Sequence, residues 1–249
     1  MILLIAGTKD GRDLAKDILN SNFKVLASTA TEYGKDLLGK HPNLTVIYGK
    51  KDYNDMIEII EKYKIKCIVD ASHPYAENVS INAIKAAKDK NIPYLRYERE
   101  KTEISGIFKV KNYNEAAEAL KNMTGNIMLT IGSNNLEVFS KLDKNRLFVR
   151  VLPLSNVLKK CEILGFSPNN IIAIQGPFSK ELNKELYRQF DIELIVTKDS
   201  GEEGGTRNKI DAAIEEGIKV ILIERPEIDY GILYSEKSKI IEKLDNLCL

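Results

Sequence analysis

The chain is poor in the residues that most often announce chemistry. Of its 249 residues, three are cysteine and two are histidine. Cys67, Cys161 and Cys248 are scattered, odd in number and form no C-x-x-C pair. That spacing offers no metal-ligand set and no disulfide framework, and it fits a reducing compartment. Net charge is also nearly absent, with 37 Lys and Arg against 36 Asp and Glu. A general basic surface for nucleic acid is therefore excluded, although a local basic pocket for an acidic small molecule is not. No apolar run approaches the ~20 residues of a membrane span. Met1 to Ala6 is apolar but stops at Gly7, without the charged start and long core of an export signal. A cytoplasmic protein with no membrane or nucleic-acid partner is expected. Solenoid-length repeats and low-complexity segments are missing as well.

What remains is a globular composition, 43% hydrophobic and 29% charged. The length suits two domains of ordinary size. Residues 2–6 read as a continuous apolar strand of the kind buried on both faces of a parallel sheet. Gly7-Thr8-Lys9-Asp10-Gly11-Arg12 comes next, then a helix over 13–20. Strand, glycine turn and helix are the usual opening of a nucleotide-binding unit, because a helix N-terminus and free N–H groups hold a phosphate. The spacing is G-x-x-x-G, not the strict G-x-G-x-x-G, so a plain βα turn is the competing reading. A second strand, 23–27, ends in Ser28-Thr29-Ala30-Thr31. It has hydroxyls where an NAD-preferring fold often has a carboxylate, and Lys35 lies further on; this tolerates a 2′-phosphate and leans towards NADPH.

After a strand at 44–48 and a helix at 52–63 comes the most informative stretch. Cys67 to Val69 is a short buried strand, and Asp70 to Tyr75 then presents a carboxylate, a hydroxyl, an imidazole and a phenol within six residues. A helix over 78–90 succeeds it. Such a polar turn sits where open parallel sheets bind ligands, beyond the carboxyl end of a strand. Capping of the helix by Ser72 or Asp70 is the plainer alternative. A fifth strand spans 93–99, with Arg96 and Tyr97 on opposite faces. This βα alternation specifies a doubly wound sheet.

A second series begins with a strand at 108–110 and a helix at 114–121. The strand 126–131 ends in Gly132-Ser133-Asn134-Asn135, before a helix at 136–142. A strand at 147–152, a helix at 155–164, a strand at 171–174 and a helix at 179–190 come next. The strand 192–197 runs into Lys198-Asp199-Ser200-Gly201-Glu202-Glu203-Gly204-Gly205-Thr206, whose glycines suit backbone approach to a ligand. A helix at 207–216, a strand at 220–224 and a helix at 235–246 close the chain. The expected fold is α/β: two Rossmann-like doubly wound domains, 1–105 and 106–249, with mainly parallel sheets and a ligand cleft between them. A terminal element can cross from one half to the other.

These blocks resemble the precorrin-6A reductase family, including the cobalt-precorrin-6A reductases of the anaerobic cobalamin route. The carriers are Gly7 to Arg12, Val69-Asp70-Ala71-Ser72-His73-Pro74-Tyr75-Ala76, Ile92-Pro93-Tyr94-Leu95-Arg96, Leu129-Thr130-Ile131-Gly132-Ser133 and Gln175-Gly176-Pro177-Phe178. Thr197 to Gly201 with Gly204-Gly205, Lys209 to Ala213 and Ile223-Glu224-Arg225-Pro226 complete them. Two departures stand out: Ala6-Gly7 where many relatives pair glycines, and Asn134 where many carry Lys. The resemblance implies hydride transfer from NADPH or NADH to a double bond of (cobalt-)precorrin-6A, giving (cobalt-)precorrin-6B. A proton is added to the neighbouring carbon, and any cobalt belongs to the substrate. It implies a tetrapyrrole partner and a monomer or small homo-oligomer.

The candidate cofactor-binding residues are Gly7, Thr8, Lys9, Asp10, Gly11, Arg12, Ser28, Thr29, Ser72, His73 and Tyr75, with His73 also the catalytic candidate. The candidate substrate-binding residues are Arg96, Gly132, Ser133, Lys198, Asp199, Ser200, Gly201, Gly204 and Gly205; Arg99, Lys101 and Arg150 are further cations for substrate carboxylates. No protein metal ligand is expected. The competing functions are a non-redox nucleotide- or small-ligand-binding protein and a nucleotide-cofactor group transferase.

Overall fold

The computed structural model describes residues 1–100, 104, 106–201 and 204–247; Lys101, Glu202, Glu203 and Cys248 lie outside the described residues. The chain divides into two units, Met1–Glu100 with Glu227–Leu249, and Lys101–Pro226. The first carries β1 (Ile2–Ile5), α1 (Lys9–Asn20), β2 (Val25–Thr29), α2 (Glu32–Asp36), β3 (Leu44–Tyr48), α3 (Tyr53–Tyr63), β4 (Cys67–Asp70), α4 (Glu77–Asp89) and β5 (Tyr94–Tyr97). The second carries β6 (Phe108–Val110), α5 (Tyr113–Lys121), β7 (Asn126–Leu129), β8 (Leu147–Val151), α6 (Ser155–Ile163), β9 (Ile171–Ala173), α7 (Lys180–Gln189), β10 (Ile192–Lys198), α8 (Thr206–Glu215) and β11 (Lys219–Ile223). The chain then returns to the first unit as β12 (Leu233–Tyr234) and α9 (Lys237–Asn246).

The first sheet runs β12-β5-β4-β1-β2-β3 and the second β6-β11-β10-β7-β8-β9. Every pairing is parallel. In the first sheet the chain winds outward from β1, first to one side and then to the other; the second sheet winds the same way from β7, after β6 has been laid at the far edge beside β11. β1 lies between β2 and β4, and β7 between β8 and β10. These are the topological switch points, and the crevice beyond the strand ends there is where such sheets take ligands.

Burial explains the apolar runs. All four residues of β1 and of β4 are buried, as expected of strands covered on both faces. Ile2, Leu4 and Val69 face a core filled by Leu14 and Ile18 of α1 and by Ile240 and Leu244 of α9. Leu3, Ile5 and Ile68 face the opposite core, filled by Met56 and Ile60 of α3 and Ala83 and Ala86 of α4. Asp52 and Asp55 form a reciprocal capping box that fixes the start of α3.

The sequence-based boundaries shift in instructive places. α1 starts at Lys9 instead of residue 13 because Thr8 caps it, its side chain accepting from the Gly11 N–H. α2 has no counterpart among the sequence-based elements: five residues are too few to show a helical period. The helix expected over 136–142 is a single 3-10 stretch, Leu136–Phe139. Leu136 and Phe139 are both fully buried, and their spacing of three suits a helix with three residues per turn. β12 is a two-residue edge strand registered on Arg96 and Tyr97, too short to show alternation. No helix among the described residues is long and apolar enough to cross a membrane.

Residues 227–249 thus complete a core whose other members lie more than a hundred positions earlier. Ile240→Ala is expected to cost about 2–5 kcal/mol, read as a lower urea midpoint for the first unit. An unchanged midpoint would remove α9 from that core.

Candidate active site

The first unit brings two of its blocks together at the β1/β4 switch point. The turn after β1 and the turn after β4 are stitched by Thr8, whose hydroxyl donates to the Ala71 carbonyl at 3.2 Å while accepting from the Gly11 N–H at 3.0 Å. Gly11 is needed for this approach: a Cβ there would lie 2.8 Å from Ala6 Cα and 3.2 Å from the Ala71 oxygen. Gly7, by contrast, is exposed and has open space where a Cβ would stand. Asp10, an acid in the first turn of α1, is neutralised by an ion pair with Arg99. Among the described residues, the half-buried Arg12 side chain has no hydrogen-bond or ion-pair partner. Ser28 and Thr29 are buried at the end of β2 beside this turn: the Ser28 carbonyl accepts from the Ala6 N–H at 2.9 Å, and the Thr29 hydroxyl donates to the Thr31 carbonyl at 2.9 Å.

Beneath the Ser72-His73-Pro74-Tyr75 turn lies a closed polar network. Asp70 and Arg96 are fully buried and pair at 2.9 Å. Asp70 also accepts from the Ser72 N–H (2.9 Å), the Ser80 hydroxyl (2.6 Å) and the Tyr94 hydroxyl (2.7 Å). Arg96 donates to the Ser72 hydroxyl at 3.0 Å and, through two nitrogens, to one Glu98 oxygen at 3.2 and 2.6 Å. Its guanidinium stacks 4.7 Å from the centre of the Tyr230 ring. Burial alone would pull the Arg96 pKa down; Asp70, Glu98 and Tyr230 more than reverse that and hold it above its ordinary value. Burial, reinforced by Asp70, drives the Tyr94 phenol far up. Ser72 and Arg96 are therefore drawn inward. Neither Asp70 nor Ser72 caps α4, which has Ala76 at its N-cap and no side-chain cap.

His73 and Tyr75 stay half-buried at the turn. His73 Nδ1 accepts from the Tyr75 N–H at 3.2 Å, and the two rings are 5.5 Å apart at 48°. A neutral imidazole accepting at Nδ1 carries its proton on Nε2. Of the described thiols, burial pushes Cys67 up to about 12 and raises Cys161.

The second unit gathers its blocks at the β7/β10 switch point. Thr130 donates through its N–H and its hydroxyl to the Val196 carbonyl, at 2.8 and 3.1 Å. Gly132 and Ser133 thereby stand beside the loop that leaves β10. There Asp199 is buried, pairs with Arg225 at 3.0 Å and accepts from the Gly201 N–H at 3.2 Å. The Ser200 N–H donates to the Thr206 hydroxyl at 3.0 Å. Gly205 opens α8 in the left-handed region, with φ at 65°, a conformation that glycine adopts without strain. Gly201 and Gly204 lie in the same loop.

Sequence reasoning names Lys198 and Arg150 as candidate cations for substrate carboxylates but gives Lys209 no site role. Lys209, in α8, is buried, and burial brings its ammonium down to about 7, with repulsion from Arg150 and Lys198 adding to the effect and Asp199 opposing it. Burial also holds Lys198 down to about 8. Arg150 is buried, donates to Asn183 Oδ1 at 2.7 Å and stacks 4.5 Å from the centre of the Phe178 ring. The one signal for Lys209 is its helical position beside Ile210 and Ala213, a lysine on the apolar side of α8.

Comparison with known proteins agrees over the full length. Residues 1–247 match the family model described as "Precorrin-6x reductase CbiJ/CobK". The chain is 42% identical over 252 residues to a cobalt-precorrin-6A reductase from Priestia megaterium, covering 99% of this chain and 98% of that protein. It is 39% identical over 250 residues to a cobalt-precorrin-6A reductase from Methanocaldococcus jannaschii, covering 99% and 98%. In fold it is similar to a solved CobK precorrin-6A reductase, with a TM-score of 0.81 at 23% identity, covering 99% of this chain and 96% of that one.

The lowered pKa of Lys209 sets a direction for stability against pH. Its native value is about 7, and a lysine in the unfolded chain titrates near ~10.4. Between those values the unfolded chain binds more protons, so stability rises with pH; below about pH 7 both states are protonated and the dependence vanishes. Lys209→Met should flatten the rise between about pH 7 and 10, measured as urea midpoints across that range. An identical slope in both proteins would count against a depressed Lys209.

Proposed function

The chain belongs to the precorrin-6x reductase CbiJ/CobK family, and on that premise we propose that it reduces cobalt-precorrin-6A with a reduced nicotinamide nucleotide in cobalamin biosynthesis. It is an oxidoreductase. The observation that carries the substrate is the match to named cobalt-precorrin-6A reductases over almost the whole of both chains.

The residues after β1 fit a nucleotide diphosphate. Gly7 leaves the backbone open to close approach, α1 is a 12-residue helix whose N-terminus favours an anion, and Arg99 cancels the Asp10 charge that would oppose one. Gly7, Thr8, Lys9, Gly11 and Arg12 would hold the phosphates. Among residues 28–31 at the end of β2 there is no carboxylate, which supports NADPH over NADH. When bound, the nucleotide supplies the hydride. The chain's own part is to orient both ligands, since positioning is much of the catalysis in such reactions. We assign His73 to protonation of the carbon next to the reduced one, acting as the imidazolium that gives up its Nε2 proton, a form in which Nδ1 no longer accepts from the Tyr75 N–H, and Tyr75 to orienting that imidazole through its ring. Ser72 and Arg96 belong to the support of the turn.

The second unit is the proposed holder of the tetrapyrrole, through Gly132, Ser133, Lys198, Asp199, Ser200, Gly201, Gly204 and Gly205. The turn after β7 opens a 3-10 stretch and no α-helix, so it lacks the aligned dipole that makes the turn after β1 a phosphate site.

Anaerobic oxidation of NADPH and NADH, followed with and without cobalt-precorrin-6A, tests this reading. Substrate-dependent oxidation with a higher kcat/KM for NADPH is expected, and no oxidation with either nucleotide sinks it. His73→Ala should lower kcat by about 10²–10⁴-fold with little change in nucleotide affinity. Unchanged turnover would return His73 to a structural role.

A further inference from the structure

Four basic side chains are deeply buried among the described residues: Arg96, Arg150, Lys209 and Arg225. Arg96 faces Asp70 and Glu98, and Arg225 faces Asp199. Arg150 and Lys209 have no carboxylate within ion-pair distance among the described residues. There, the polar partner of the Arg150 guanidinium is the neutral Asn183 amide, and its other neighbour is the Phe178 ring. The Lys209 ammonium has no hydrogen bond among the described residues; its backbone carbonyl, in contrast, accepts from the Tyr187 hydroxyl at 3.1 Å.

The two cations share one face of the sheet. Phe148, two residues before Arg150 on β8, packs in the core under α7 and α8 with Met128, Ile195, Ile210 and Leu222. Side chains alternate along a strand, so Arg150 points to the same side, as its bond to Asn183 of α7 requires. By the same alternation Thr197 lies on the Ile195 face of β10. Thr197 is fully buried, and its hydroxyl has no hydrogen-bond partner among the described residues. Two basic groups without a carboxylate partner among the described residues and a spare hydroxyl donor therefore lie on one face of the sheet, at the carboxyl ends of β8 and β10 and in α8. Buried charge is costly unless paired, and here each cation also repels the other, with Lys198 adding to the repulsion. The one nearby acid among the described residues, Asp199, is already engaged by Arg225.

We infer that Arg150 and Lys209, with the Thr197 hydroxyl, form an oxyanion site in the second unit that takes a carboxylate of the bound tetrapyrrole. The inference rests on the substrate proposed above for its ligand, but not for the existence of the site. A carboxylate or a phosphate satisfies the same donors: the planar guanidinium fork matches two oxygens, and the ammonium supplies a point charge. A nucleotide phosphate is the other source of that chemistry, and the experiment separates the two. An anion docked there also restores the proton affinity of Lys209. Its charged and titratable neighbours are Arg150 on β8, Lys198 at the end of β10, Asp199 just beyond it, and Tyr187 on α7.

The test is calorimetric binding at pH 8, under anaerobic conditions, of cobalt-precorrin-6A and of NADPH separately to wild type, Lys209→Met and Arg150→Lys. A fall of about tenfold to a hundredfold in tetrapyrrole affinity with NADPH affinity unchanged is expected, the size of one lost charged hydrogen bond. Proton uptake on binding, read from buffers of different ionisation enthalpy, should disappear in Lys209→Met. A loss confined to NADPH would keep the oxyanion site and overturn its assignment to the tetrapyrrole in favour of a phosphate. Lys209→Met should retain or gain thermal stability without ligand, because it removes the cost of burying a lysine that must shed its proton to do so; should it instead fail to fold, Arg150→Lys, which keeps the charge and loses the fork, decides by the same affinity comparison. Inorganic phosphate at constant ionic strength provides an arm independent of the reductase reading: it should raise the Tm of wild type more than that of either variant. If tetrapyrrole, NADPH and phosphate all bind the variants as they bind wild type, the site does not exist, whatever the turnover of the wild-type enzyme.

Discussion

The pairing of Asp70 with Arg96 is the constraint on which the first unit's ligand end depends. Both side chains are fully buried, and each would be costly alone, since an unpaired charge in the interior costs several kcal/mol. Together they organise their surroundings. Asp70 draws in the Ser72 N–H, Ser80 from α4 and Tyr94 from β5, and Arg96 draws in Ser72 and Glu98. The turn that carries His73 and Tyr75 is therefore anchored by its first residue from beneath, while Thr8 ties the preceding Ala71 to the turn after β1. The two turns are held together by a few polar contacts and not by their own stiffness.

The second unit repeats the winding from its central strand and, besides the Arg225–Asp199 pair, buries two basic groups without such a match among the described residues. In the first unit the buried arginine is matched by two carboxylates; in the second, Arg150 and Lys209 are matched by none among the described residues. The two switch points also differ in the element that succeeds each central strand. β1 leads into a 12-residue α-helix and β7 into a four-residue 3-10 stretch. One end has a helix dipole and an open glycine, the features on which the proposed nucleotide site rests. The other has side-chain cations instead, which suit carboxylates placed off any helix axis. A single fold thus presents two different electrostatic environments through local charge and one helix's presence or absence.

The return of residues 227–249 ties the two ends of the chain to one core. β12 adds an edge to β5, and the segment before it brings Tyr230 over the Arg96 guanidinium. This crossing segment thus touches the very network that supports the His73 turn, so the integrity of that turn depends on residues more than 150 positions away.

The α/β class, the parallel sheets and most of the elements are legible in the amino-acid order, because strands buried on both faces must be runs of apolar residues and helices between them must show a 3.6 period. The family is legible too, since Asp70 to Ala76 and Thr197 to Gly201 with Gly204-Gly205 keep their order and separation. The roles of those polar residues are not, and they emerge when the elements pack. Arg96 looks like a ligand-binding cation at a strand end, yet β4, α4 and the returning segment enclose it; whether a charge is compensated depends on partners that adjacency along the chain does not reveal. Lys209 looks like one more surface lysine until α8 is laid on β10 and its ammonium is taken out of water. β12 and α2 are illegible because two and five residues carry no period. Local pattern records burial; the pairing of charges is set by elements distant in sequence, and for that the folded chain is required.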